Sequence, residues 1–200
     1  MVDARKFAYG LTLGGILTNA LKRNADKTAL VYSGAEFSYS ELNHQSSRAA
    51  QGLLELGIKR GDSVAILLRN CVEYAVTDLA IIKRGAVKVP LNELLSRSEV
   101  DNALTHSSSV AVIVHASLLD RVSPRPGLTI ITVSDMEHEN ASGTRFADLL
   151  SSAPITRFTP AEPDAPAVLM YTGGTTGRPK DSRSLGHQPA GACYVCPDNF

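Results

Sequence analysis

Apolar positions along the chain fall into two alternating patterns. Leu13, Ile16, Leu17, Ala20 and Leu21 recur at helical spacing and predict an amphipathic first helix. Thr28–Tyr32 and Phe37–Tyr39 are short β-rich runs on either side of Ser33-Gly34, which predicts a hairpin. Ser38 and Glu41 then fit a capping box, and Leu42, Ala49, Leu53 and Leu56 share one face of the helix it opens. Gly57 stops that helix. His44 and Arg48 fall on or near its polar side, where solvation is expected.

The next elements have a different texture. Ser63–Leu68 is a continuous apolar run, as buried parallel strands tend to be. Asn70 and Glu73 are expected to cap a helix whose buried face is Val72, Ala75, Val76, Leu79 and Ile82. Lys83 and Arg84 fall in its last turn, where cations suit the helix dipole, and Gly85 ends it. Val87–Val89 predicts a short strand ending at Pro90. Ser96 and Glu99 form a second capping-box pattern, with Val100, Ala103 and Leu104 facing inward.

Runs at 110–114 and 128–133 predict two more buried strands, separated by a Pro124–Gly127 turn. Phe146–Leu150 is expected to be a short helix. Residues 151–166 hold four prolines and few apolar residues, which predicts a surface linker. Ala167–Tyr171 reads as a last strand. Strand and helix alternate throughout, so the fold class is α/β with a mostly parallel sheet and flanking helices.

That last strand runs into Thr172-Gly173-Gly174-Thr175-Thr176-Gly177-Arg178-Pro179-Lys180. Glycine lets backbone N–H groups approach an anion closely, since no Cβ intervenes. Successive N–H groups can form a concave nest around phosphate oxygens. Threonine hydroxyls add donors or bind a metal, and Lys180 supplies a point charge behind Pro179. A Walker A loop needs Gly-Lys-Ser/Thr, but Arg178-Pro179 separates Gly177 from Lys180. A dinucleotide fingerprint needs Gly-x-Gly-x-x-Gly, and Gly174-Thr175-Thr176-Gly177 offers only its second half. The alternative for the whole string is a glycine-rich surface turn.

Composition changes this picture little. Among 200 residues, 44% are hydrophobic and 20% charged, which suits one sizeable globular domain. Twenty Lys and Arg balance twenty Asp and Glu, so nucleic-acid binding is not implied. No run of eighteen apolar residues marks a transmembrane helix, and the start lacks a signal-peptide layout, so a cytoplasmic location is expected. The three cysteines, Cys71, Cys193 and Cys196, form no disulfide framework. Cys193-x-x-Cys196 with His187 is half of a zinc-site spacing without further ligands, and it is read as coincidence. The five histidines are scattered, with no catalytic partner identifiable from spacing.

The string from Tyr171 to Lys180 resembles the phosphate loop of the adenylate-forming superfamily, which includes acyl-CoA synthetases, luciferases and peptide-synthetase adenylation domains. Earlier segments resemble the family in order and spacing: Phe37–Asn43, Leu56–Ile66, Asn70 with Glu73, and Ile82–Asn92. Gly173 and Pro90-Leu91-Asn92 lean towards acyl-CoA synthetases. The resemblance covers roughly residues 10–180 in the sense of ordinary motif matching. It departs at Asp181, where the family has glycine. A carboxylate there would partly neutralise Lys180 and repel phosphate; one unit charge pair about 6 Å apart at an effective dielectric of about 20 is worth about 3 kcal/mol before salt screening.

The resemblance implies an ATP-dependent acid–CoA ligase using ATP, Mg²⁺ and CoA on a fatty or aromatic carboxylic acid. Thr172, Gly173, Gly174, Thr175, Thr176, Gly177 and Lys180 would line the β- and γ-phosphate site, and Thr172 would help hold Mg²⁺. No catalytic residue is implied, and the CoA site has no counterpart in this sequence. Residues 1–180 are expected to be part of the N-terminal AMP-binding domain. Residues 181–200 have no family resemblance and are expected to be an unstructured or frame-shifted tail. A separately encoded remainder would then pair with the chain. The alternative is a non-catalytic remnant that binds phosphate weakly.

Overall fold

The computed structural model describes residues 13–134, 143–155, 165–173, 179–185 and 194–195. In chain order the elements are α1 (Leu13–Arg23), β1 (Thr28–Tyr32), β2 (Ala35–Ser38), α2 (Tyr39–Glu55), β3 (Ser63–Leu67), α3 (Val72–Arg84), β4 (Val87–Pro90) and α4 (Arg97–His106). They continue with β5 (Ala111–His115), a 3₁₀ turn (Ala116–Arg121), β6 (Thr129–Val133), β7 (Thr144–Arg145), α5 (Phe146–Leu149), β8 (Pro166–Gly173), β9 (Pro179–Leu185) and β10 (Tyr194–Val195).

β1 and β2 form the expected antiparallel hairpin. The main sheet has the order β10-β9-β8-β4-β3-β5-β6-β7. The six strands from β8 to β7 in that order run parallel, and β9 and β10 are antiparallel additions at one edge. β3 lies between β4 and β5, so the chain winds outward from β3 in both directions.

Side-chain alternation along β3 divides the interior in two. Val64 and Ile66 face one core, shared with Ala49, Ala50 and Leu53 of α2, Val76, Ala80 and Ile81 of α3, and Phe146 and Leu149 of α5. Ala65 and Leu67 face the other, with Val87 and Val89 of β4, Val100 and Leu104 of α4, and Leu169 of β8. Val64 through Leu67 are fully buried, which is why this strand carries no polar alternation. Burying each such side chain contributes about 1.5–3 kcal/mol.

Local signals set the helix ends. The Ser38 hydroxyl accepts from the Glu41 N–H at 3.1 Å while the Glu41 carboxylate accepts from the Ser38 N–H at 2.7 Å. Ser96 and Glu99 repeat the arrangement at α4. Gly85 ends α3 in the left-handed region with φ 63°. The first helix departs from expectation at Ile16, which is 54% exposed, whereas Leu21 is buried. Leu56, assigned to the buried face of α2, is 37% exposed because the helix ends at Glu55 and the chain turns there. The expected Asn70 cap of α3 is also corrected. The N-cap is Cys71, one residue later, and its side chain makes no capping bond.

Lys83 and Arg84 do occupy the last turn of α3, but both are buried. Lys83 is 1% exposed, and its Nζ donates towards Asn43 O, Asn43 Oδ1, Ser46 Oγ and Ser47 Oγ at 2.6–2.9 Å. Arg84 Nη2 donates to Ile58 O at 2.9 Å. The expected surface linker is tied down at its start. Arg48 Nε donates to Ser152 O, and Ile155 N–H donates to Ser47 O. Residues 156–164 of that linker lie outside the described residues.

Candidate functional site

β8 is parallel to β4, so the chain leaves it at the carboxyl edge of the parallel strands, where open α/β sheets bind ligands. The string read as an irregular phosphate loop over 172–180 is shorter than expected. β8 continues through Gly173, and β9 begins at Pro179 as its antiparallel partner. Thr172 pairs with Lys180 and Gly173 with Pro179. The sequence cannot show this pairing, because neither arm has the period-2 apolar pattern that signals a hairpin.

Of the seven candidate residues, Thr172 and Gly173 therefore end one arm of a hairpin and Lys180 opens the other. Gly174, Thr175, Thr176 and Gly177 lie outside the described residues. Of the tail expected from residue 181, residues 181–185 pair with β8 as part of β9. Tyr194–Val195 pairs with β9 in turn. His187, Cys193 and Cys196 lie outside the described residues, and so does the zinc half-spacing they form.

Tyr171 anchors the base of the first arm. Its ring packs in the core beneath α4. Its hydroxyl donates to Ala103 O at 3.1 Å and lies 2.9 Å from His106 Nδ1. Spacing alone misses this contact, because 65 residues separate the two rings in the sequence.

Strongly shifted titratable groups lie away from the hairpin. Burial pushes the Lys83 amine down to about 7 and the Cys71 thiol up to about 11. Cys71 is thus a poor nucleophile at neutral pH. Lys83 sits in a cage of α2 oxygens, which marks it as a structural link between helices. Among the described residues, no group of three or more His, Cys, Asp or Glu could hold a metal ion. No helix there is long and apolar enough to cross a membrane.

Comparison with known proteins covers the same span. Residues 17–181 match the family described as AMP-binding enzyme. The chain is 31% identical over 179 residues to a medium/long-chain-fatty-acid–CoA/3-oxocholest-4-en-26-oate–CoA ligase of Mycolicibacterium smegmatis, covering 85% of this chain and 32% of the relative. It is 35% identical over 172 residues to a crotonobetaine/carnitine–CoA ligase of Proteus mirabilis, covering 77% of this chain and 32% of the relative. Its fold is similar to that of a benzoate CoA ligase from Burkholderia xenovorans, with a TM-score of 0.75 and 24% identity over 88% of this chain and 34% of that one. The chain thus spans about a third of the length of the relatives named here.

Proposed function

The chain belongs to the AMP-binding enzyme family, and on that premise we propose that it supplies the ATP-phosphate-binding part of an acid–CoA ligase. The observation that carries the reading is the β8–β9 pairing, which sets Thr172 opposite Lys180 on either side of the glycine-rich sequence.

The donor chemistry fits a polyphosphate. The sequence from Gly174 to Lys180 carries glycines at 174 and 177, hydroxyls on Thr175 and Thr176 and a cation on Lys180, the residue types a phosphate nest uses. Thr172, Gly173, Gly174, Thr175, Thr176, Gly177 and Lys180 would hold the β- and γ-phosphates. Magnesium would supply further charge neutralisation, with Thr172 as a hydroxyl ligand beside phosphate oxygens.

In the proposed reaction a carboxylate oxygen attacks the α-phosphorus of ATP and the bond to pyrophosphate breaks. CoA thiol then displaces AMP from the acyl-adenylate. The role of this chain's residues is to fix the departing pyrophosphate and stabilise its growing charge. Fatty acids and small aromatic acids are the substrate class, in keeping with the acids named for the relatives.

The test is direct binding of MgATP and of magnesium pyrophosphate by the 200-residue chain, with Lys180→Ala as the control. We expect both ligands to bind, and the variant to bind about tenfold more weakly, as befits loss of one charge-assisted hydrogen bond. Equal affinity of the two proteins, or no binding by either, overturns the reading. Assigning the acid then takes pyrophosphate exchange on this chain joined to a complete ligase, across a panel of fatty and aromatic acids.

A further inference from the structure

The last residues of β8 receive little support from the parallel sheet. Among the described residues, β4 and β8 share a single ladder pair, Lys88 with Val168. Beyond it the strand is carried by β9, through the pairs Leu169–Arg183 to Gly173–Pro179. Within that free-running end, the Tyr171 side chain reaches back to α4.

That contact ties the strand end to the helix end through one hydroxyl. A phenol can donate one hydrogen bond and accept others. Ala103 O, 3.1 Å away, accepts from it and also accepts the Ser107 N–H at the end of α4. His106 Nδ1, 2.9 Å away, is joined to the same hydroxyl, as donor or as acceptor according to the imidazole tautomer. The rings meet edge to face, with centroids 5.8 Å apart and planes at 77°. His106 is the last residue of α4, one turn beyond Ala103, so one helix end supplies both partners.

We propose that His106, acting through Tyr171, is a positioning residue for the phosphate site. It holds the end of β8 against α4 and so sets where Thr172, Gly173 and Lys180 stand. The proposal rests on the reading of the hairpin as a phosphate site given above. It concerns a histidine that meets β8 at the Tyr171 ring and hydroxyl.

The experiment uses the 200-residue chain with magnesium pyrophosphate as the probe, and amide hydrogen exchange as a second readout that needs no ligand. Tyr171→Phe removes the hydroxyl and keeps the ring. His106→Leu removes the ring nitrogen, and His106→Asn keeps an amide that can donate or accept close to the place of Nδ1. We expect Tyr171→Phe and His106→Leu each to weaken pyrophosphate binding about 3- to 10-fold, the size of one hydrogen bond. The double variant should lose no more than either single one, and His106→Asn should recover most of the affinity. Exchange at Tyr171–Gly173 and Lys180 should quicken in Tyr171→Phe, while Val64–Leu67 in β3 stays protected. His106→Asn as weak as His106→Leu overturns the proposal. Unchanged exchange at the hairpin arms in Tyr171→Phe overturns it whatever pyrophosphate does. A wild-type chain that takes no pyrophosphate, while exchange at the arms responds as expected, leaves the anchor in place and overturns the phosphate reading.

Discussion

A methyl group on Gly52 would lie 2.7 Å from the Cα of Leu149 and 2.8 Å from its Cβ. α2 and α5 thus meet almost backbone to backbone, in the last turn of α2. Gly52→Ala sets two effects against each other. Helix propensity favours alanine by about 1 kcal/mol. Overpacking costs about 1–3 kcal/mol, and here the obstacle is backbone, which cannot swing aside as a side-chain tip can. The clash wins, so Gly52→Ala should lower the urea midpoint. A midpoint at or above wild type would show that α5 yields freely.

Lys83 makes stability depend on pH in a definite direction. Its amine titrates at about 7 in the folded chain, against an ordinary value of 10.5, because it is buried. Between those values the unfolded chain holds the proton that the folded chain has released. Stability therefore rises as pH goes from about 7 towards 10.5, and the burial penalty is fully present below 7. Lys83→Met removes this contribution. The variant should lose about 1–3 kcal/mol through its broken hydrogen bonds to Asn43, Ser46 and Ser47. Thermal melts of both proteins at pH 6, 8 and 10 should show the wild type gaining on the variant with each step. Parallel curves would refute the assignment.

The two capping boxes give a prediction at acid pH. Ser38→Ala and Ser96→Ala should each cost about 1 kcal/mol at neutral pH. Hydrogen bonds from the Ser38 backbone and side chain hold the Glu41 carboxyl below its usual range, and those from the Ser96 side chain and backbone do the same at Glu99. A lowered carboxyl stabilises the folded chain above its unfolded pKa, and that stability is lost as pH falls through the folded one. Acid titration of the double serine variant should therefore show a smaller loss than the wild type. An equal loss would place the acid sensitivity elsewhere.

Asp181 sits next to Lys180 and pairs with Tyr171 across the hairpin. Its charge would repel an anion at the proposed phosphate site, so Asp181→Gly and Asp181→Asn should both tighten pyrophosphate binding. The gain should be several-fold at low salt and shrink as ionic strength rises, since exposed charges are screened beyond about 10 Å at 0.1 M. Tightening by glycine alone would point to backbone freedom in place of charge. Tightening by neither would remove Asp181 from the account.

Much of this architecture is legible because its signals are local. The apolar runs that became β3, β5 and β6 are buried on both faces, and Thr132, a polar side chain inside β6, is buried as well. Ser38 with Glu41, and Ser96 with Glu99, announce their helices within four residues. β7 escaped notice because Thr144–Arg145 is two polar residues whose strand character comes from pairing with β6. β9 escaped for the same reason: Lys180-Asp181-Ser182-Arg183-Ser184 has no apolar period, and its order comes from β8. Lys83 read as a cation suited to the helix dipole, since nothing near it in sequence reveals the oxygens of Asn43, Ser46 and Ser47 that enclose it. At the candidate site the chemistry of the turn could be read from residue types. Its frame could not, because Tyr171 meets His106 only through the fold.

The division of the interior by β3 has a consequence for how damage spreads. Ile66 and Leu67 are neighbours in sequence but look into separate rooms. A misfit at Ile66 presses on α2 and α3, on the far side of the sheet from Tyr171. A misfit at Leu67 shares its room with Leu169, Tyr171 and Val100, and so reaches the strand that carries the turn. The sheet acts as a partition wall. Which side of it a residue faces, more than how far it lies along the chain, decides whether the phosphate end feels the change.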